Sequence, residues 1–202
     1  MIPSPDRKAG RRILPERRSA MKFLAVIAGL LLLSSNAVFG GPAWKTNLAR
    51  ANIRNAVGQT VGVATFTQEP QGVRVPVTVW NLLPGKHGTH IHEMGRCDMP
   101  YFHSAGGHLN PEGRKHGRKN PEGAHAGDLP NLEVGEYGTG MICTTIPGLT
   151  LRIYTPTAIF SPIGAAVCID AAPDDEMTDP DGNSRLHIAC GVLEVVYETG
   201  ER

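Results

Sequence analysis

Seven of the eight histidines in this 202-residue chain lie between Gly85 and Asp128, a density that makes metal binding the first chemistry to consider. The stretch holds His87, His90 and His92 in Gly85-Lys-His-Gly-Thr-His-Ile-His-Glu93, then His108, His116, His125 and Asp128 within 21 residues. Imidazole suits zinc, copper, iron and nickel. If the first segment is a strand, His90 and His92 project from one face, one pleat apart, and both rings can reach a single ion. The later group offers three imidazoles and a carboxylate, which fills the four-coordinate shell of zinc and leaves no position for water. A closed shell of that kind is structural, and its metal would offset the entropy of ordering a long loop. The bland alternative, a polar loop with scattered surface histidines, leaves these spacings without a cause.

The elements that must position these groups read as short strands. Val61–Thr67 and Gly72–Trp80 alternate with period two, and Leu82-Leu-Pro-Gly85 makes a turn. Gly140–Ile146 and Leu149–Tyr154, joined by Pro147-Gly148, have strand composition, as do Ala165–Asp170 and His187–Tyr197. Pro76 inside a run marks an edge strand or a bulge. Strands at turn-punctuated intervals without helical crossovers predict an all-β antiparallel sandwich or barrel. Residues 93–135 and 171–184 break the pattern as long polar connections, and loops of that length in a compact domain usually carry function. No internal repeat or second domain is visible.

Met21-Lys22-Phe-Leu-Ala-Val-Ile-Ala-Gly-Leu-Leu-Leu-Leu, followed by Ser34-Ser-Asn-Ala-Val-Phe-Gly40, has the charged start, apolar core and small-residue exit of a secretory signal peptide. A cut after Ala37 or Gly40 is expected, which leaves no stable membrane insertion and places the protein in the periplasm or outside the cell. The basic stretch before Met21 reads as an extended leader or as sequence upstream of the true start. Residues 1–40 are thus leader, 41–57 a linker, 58–197 the domain and 198–202 a tail. Residues 1–40 carry seven Lys/Arg and two Asp/Glu, so the remainder holds 13 basic and 17 acidic residues, a net charge of −4 rather than the +1 of the whole chain. Nothing in that balance suggests nucleic acid as a partner. Four cysteines, Cys97, Cys143, Cys168 and Cys190, allow three pairings in an oxidising compartment, and spacing does not choose among them.

The segments Gly85–Glu93, Ser104-Ala-Gly-Gly-His-Leu-Asn-Pro111, Lys115-His-Gly117, His125-Ala-Gly-Asp-Leu129 and Ala189-Cys-Gly-Val192 together resemble the copper/zinc superoxide dismutases, most closely the exported bacterial branch. The resemblance covers about residues 58–197 in order and spacing. It implies a Greek-key β-sandwich related in architecture to the immunoglobulin fold. It also implies copper and zinc joined by one imidazolate, with superoxide converted to hydrogen peroxide and oxygen. On this resemblance His90 and His92 are copper ligands, His108 is the bridge, and His116, His125 and Asp128 complete the zinc shell. His87 is a supporting histidine that orients the strand, Asp174 a carboxylate linking a zinc ligand to a copper ligand, and Cys97–Cys190 the disulfide. Copper would alternate between Cu(II) and Cu(I), with the bridging imidazole passing a proton to the nascent peroxide. A copper donor protein and a second copy of the chain are the partners left open.

Two positions depart from the family pattern. Asp170 stands where the last copper histidine is expected, and His187 stands where the substrate-guiding arginine is expected, three residues before Cys190. Arg185 shares strand parity with His187 and is the nearest guiding cation. Three outcomes stay open: His187 completes the copper site, Asp170 does so as a harder oxygen ligand, or copper binds weakly or not at all. The last outcome gives the alternative function, a zinc-stabilised domain with impaired turnover that binds copper or a partner. Five acidic residues between Asp170 and His187 repel a superoxide anion. Cys143 and Cys168 read as small buried hydrophobes or as a second disulfide. Cys168 shares parity with Asp170 and so faces the metal side, although a thiolate role there is the least expected of the three.

Overall fold

The computed structural model describes residues 47–196 apart from 154 and 161; the leader at 1–40 and the tail at 198–202 lie outside the described residues. Nine strands form one antiparallel sheet: β1 (Leu48–Asn55), β2 (Thr60–Glu69), β3 (Gly72–Val79), β4 (Gly85–His87), β5 (Thr89–His92), β6 (Leu132–Val134), β7 (Gly140–Pro147), β8 (Ala166–Asp170) and β9 (His187–Val195). Their order is β4-β6-β7-β3-β2-β1-β9-β8-β5. β4 and β5 stand at opposite ends of that order, yet Gly88 alone separates them in the chain. The sheet must therefore curl until its ends meet, which makes a nearly closed barrel and hides the edges that an open sheet would expose. Period-two alternation fills its interior: Ile53, Phe66, Val75, Val77, Ile91 and Ile169 are all fully buried in one core cluster. Removing each of these larger side chains from water contributes about 1.5–3 kcal/mol.

Three sequence expectations change. Residues 48–55, placed in a linker, form β1 between β2 and β9. The alternation Ala49, Ala51, Ile53 against Arg50, Asn52, Arg54 is real, but alanine, asparagine and arginine carry weak strand signals, and pairing with both neighbours overrides them. Pro76 lies in a central strand rather than at an edge or bulge. The β2–β3 ladder skips Val75 and Pro76 and resumes in unchanged register at Arg74↔Thr67, so the missing N–H is accommodated by a gap. The strand expected over Leu149–Tyr154 is not formed across residues 149–153, and Tyr154 lies outside the described residues. Leu151 is fully buried, but its N–H donates to Gln68 Oε1 at 2.9 Å, and Thr150 and Ile159 close a loop instead.

β8 is buried along its whole length, as continuous apolar runs are when both faces are covered. Val167 and Ile169 face the barrel core, whereas Ala166 and Cys168 pack outward beneath Phe102 and Ala105 of the long loop. This outward face, shared with β5 and β9, carries the chemistry.

Candidate metal centre

β5 directs Ile91 into the core and His90 and His92 onto the opposite face. Across the strands His90 pairs with Cys168, Cys168 with Cys190, and Asp170 with His187. The register shifts between Ile169 and Asp170, and that irregularity sets Asp170 opposite His187. The other edge of β5 is lined by the loop itself: Leu109 N–H donates to Ile91 O at 2.8 Å, and Ile91 N–H donates to Gly127 O at 2.9 Å. These bridges seat His108 beside His92 and Asp128 beside His90. Cys97 and Cys190 are joined as a disulfide across 93 positions, tying the start of the loop to β9.

In one donor group Asp128 Oδ1 lies 3.0 Å from His108 Nδ1, 3.1 Å from His116 Nδ1 and 3.3 Å from His125 Nδ1. Asp128 Oδ2 accepts the N–H groups of Gly117 and His125, both at 2.9 Å, which fixes the carboxylate. Burial disfavours its charge, but the three neighbouring histidine rings and the Gly117 N–H outweigh that and hold the carboxyl well below the usual range. His116 Nδ1 is buried without a hydrogen-bond partner. An orphaned ring nitrogen inside a set of three imidazoles and one carboxylate is what a closed zinc shell requires.

The second group, His90, His92 and His108, is also close enough to share an ion. His92 Nδ1–H donates to Gly106 O at 2.9 Å, leaving Nε2 buried and unpartnered. Burial, reinforced by the neighbouring His108, pushes the His92 pKa down to about 3, and burial likewise takes His108 to about 4. These rings are neutral, as ligands must be. His90 differs. Its Nδ1 meets Asp170 Oδ2 at 2.9 Å and its Nε2 meets Asp174 Oδ2 at 3.0 Å. Burial opposes a charge there, but the two carboxylates raise the His90 pKa to about 9. Asp174 Oδ1 in turn meets His116 Nε2 at 2.9 Å; burial is again outweighed, by Asp128 and Asp174, and the His116 pKa rises to about 10. One carboxylate therefore spans both groups.

Asp170 is not in the three-histidine group. Its second oxygen lies 2.6 Å from His187 Nδ1, so its carboxylate sits between two rings. His187 comes instead beside His92, with ring centres 4.8 Å apart. Arg185 and His187 line a cavity of about 370 Å³ that opens over His92 and His108. His103 lines the same cavity and has no sequence signal to reveal it, because a three-residue turn supplies no periodicity to orient it. His87 Nδ1 lies 2.7 Å from Asp170 O and Nε2 lies 3.0 Å from Leu83 O, which ties β4 to the end of β8. The second disulfide is not formed: Cys143 is free and exposed, and Cys168 is free and buried.

A sequence model of the copper/zinc superoxide dismutase (SODC) family matches residues 60–193. The chain belongs to that family. It is 41% identical over 145 residues to superoxide dismutase [Cu-Zn] 1 of Aquifex aeolicus, covering 71% of this chain and 86% of that one. It is 40% identical over 141 residues to the superoxide dismutase-like protein YojM of Bacillus subtilis, covering 69% and 72% respectively. A crystal structure of a SOD-like protein from Bacillus subtilis superposes with a TM-score of 0.68 at 38% identity, covering 72% of this chain and 97% of that one. The all-β fold expected from sequence is thereby established, and so is a superoxide dismutase-like protein with metal-binding clusters.

Proposed function

We propose that this protein is an exported superoxide dismutase-like metalloprotein that converts superoxide to hydrogen peroxide and oxygen. His108, His116, His125 and Asp128 would hold zinc, and His90, His92 and His108 would hold copper. The observation that carries this reading is that both donor groups contain His108 and each includes a buried ring nitrogen with no hydrogen-bond partner. Copper, when bound, supplies one-electron chemistry, accepting an electron from one superoxide and returning one to the next. The chain's own residues do the rest. Arg185, at the mouth of the cavity, offers an anion the positive charge that the acidic segment from Asp174 to Asp181 withholds. The His108 ring, with Nδ1 against Asp128, keeps Nε2 as the nitrogen that can hold and return a proton to product. The signal-like sequence supports export, and among the described residues no helix is long and apolar enough to cross a membrane.

A second reading rests on the grip of Asp170 on His90 Nδ1. A nitrogen engaged by a carboxylate must be released before it can ligate, so on this reading the domain is a zinc protein that carries copper at low turnover. Zinc and copper contents and superoxide turnover, measured on metal-loaded wild type, Asp170→His and His187→Ala, separate the two. Copper-dependent turnover by the wild type supports dismutation. One zinc per chain with no turnover, restored by Asp170→His, supports the second reading, and absence of both metals overturns both.

A further inference from the structure

A donor cluster lies beside the two that the family pattern accounts for. One ring nitrogen each of His92 and His187 and the sulfur of Cys168 all fall within 4.8 Å of one another. Cys168 is fully buried and free. Its Sγ lies 3.5 Å from Cys190 Sγ, on the face of β8 that looks away from the barrel core. A buried free cysteine is ordinarily a small hydrophobe, and packing against Phe102 and Ala105 fits that description. The surroundings of His92 do not. Its Nδ1 is committed to Gly106 O, and its Nε2 is buried at 1% residue exposure with no partner. Leaving such a buried nitrogen unpaired is costly, and a ligand at this point would relieve that cost.

Availability of lone pairs then favours this cluster over the three-histidine one. Both nitrogens of His90 face carboxylates, Asp170 on one side and Asp174 on the other. His187 is engaged only through Nδ1, by Asp170 at 2.6 Å, which leaves Nε2 to ligate. A carboxylate on the far nitrogen is the usual support of a ligating imidazole, because it fixes the tautomer and raises basicity. Asp170 therefore ties up His90 while preparing His187. Two imidazoles and a thiolate form a soft donor set that suits Cu(I) or zinc, and with zinc placed in the His108, His116, His125 and Asp128 group by the proposed function, Cu(I) is the ion left for this cluster.

We infer that His92, Cys168 and His187 form a Cu(I) site, so that reduced copper is held by a thiolate and two imidazoles rather than by the family's histidines alone. Coordination replaces the Cys168 S–H bond with a sulfur–copper bond, and the proton leaves to solvent through the channel that His187 lines. Neither cysteine nor copper changes oxidation state in this step. The inference rests on the reading that copper enters this channel, and it assigns Cys168 the role that sequence parity allowed but that a mid-strand buried cysteine rarely takes.

The test uses zinc-loaded protein given one equivalent of Cu(I) without oxygen. X-ray absorption at the copper edge reads the donor atoms, and competition with a chromophoric Cu(I) chelator reads affinity. The expected result is a sulfur donor in the wild type that is lost in Cys168→Val, with Cu(I) affinity falling at least about tenfold. His187→Ala should weaken Cu(I) comparably while keeping sulfur in the shell. Zinc content and melting temperature check that each variant is folded, and the wild-type sulfur signal stands without any variant. Copper bound through nitrogen alone, with unchanged affinity in Cys168→Val, overturns the inference and leaves the copper reading intact. No Cu(I) retained by the wild type overturns both.

Discussion

Gly182→Ala isolates the carboxylate that spans the two donor groups. Gly182 has φ +63°, and a Cβ built on it would collide with Asp174 Oδ1 and stand 2.6 Å from His116 Nε2. Asp174 cannot yield cheaply: Oδ1 also accepts Glu176 N–H at 2.6 Å, and Oδ2 faces His90. Displacing it removes the support behind a zinc ligand, and such losses typically weaken metal binding 10–100-fold, or about 1.4–2.7 kcal/mol. The left-handed backbone adds about 1–2 kcal/mol for any non-glycine residue. Gly113 supplies the control. It has the same φ of +63° with nothing within 4 Å of the place a Cβ would take, so Gly113→Ala should show the backbone cost alone. Zinc affinity measured by chelator competition should therefore fall 10–100-fold in Gly182→Ala and change less than about threefold in Gly113→Ala. At saturating zinc, denaturant titration should show roughly 2.4–4.7 kcal/mol lost in the first variant and about 1–2 in the second. Equal zinc affinities in the two variants would refute the reasoning, because Asp174 would then not support the shell.

Further outcomes follow from the same contacts. Replacing both Cys97 and Cys190 by alanine opens a loop closed across 93 positions, for which the chain-entropy model gives about 4.5 kcal/mol. A fall in melting temperature on the order of 10 °C is expected, and one below about 3 °C would contradict it. Removing zinc with a chelator should raise amide exchange between His108 and Asp128 while leaving β2 and β3 protected; uniform exchange would show that the metal does not order the loop. In metal-free protein the raised pKa values of His90 and His116, about 9 and 10, make their contribution complete below about pH 6.5 and lost as pH climbs through those values. The lowered values of His92 and His108, about 3 and 4, withdraw stability as pH falls below about 6.5. Melting temperature against pH should thus peak near pH 6.5, and a monotonic profile would contradict these assignments.

Much of the molecule is legible in one dimension because its signals are local. The runs read as strands that became β2, β3, β7, β8 and β9 match the observed strands to within one or two residues at each end. Where local preference misleads, a partner overrides it. β1 is held by pairing on both sides despite its alanines and arginines, and Leu151 is buried while its N–H turns to the Gln68 side chain.

The sequence by itself determined the four-donor group, because His108, His116, His125 and Asp128 come from one loop whose spacing is a property of the chain. It also determined that His90 and His92 share a face, since strand parity needs no partner. Only the tertiary structure decided the other half. Asp170, His187 and Cys168 lie on β8 and β9, and their relation to His90 and His92 depends on how three strands register and where that register slips. That slip puts Asp170 between His90 and His187, and the strand pairing brings Cys168 within 4.8 Å of a ring nitrogen of His92.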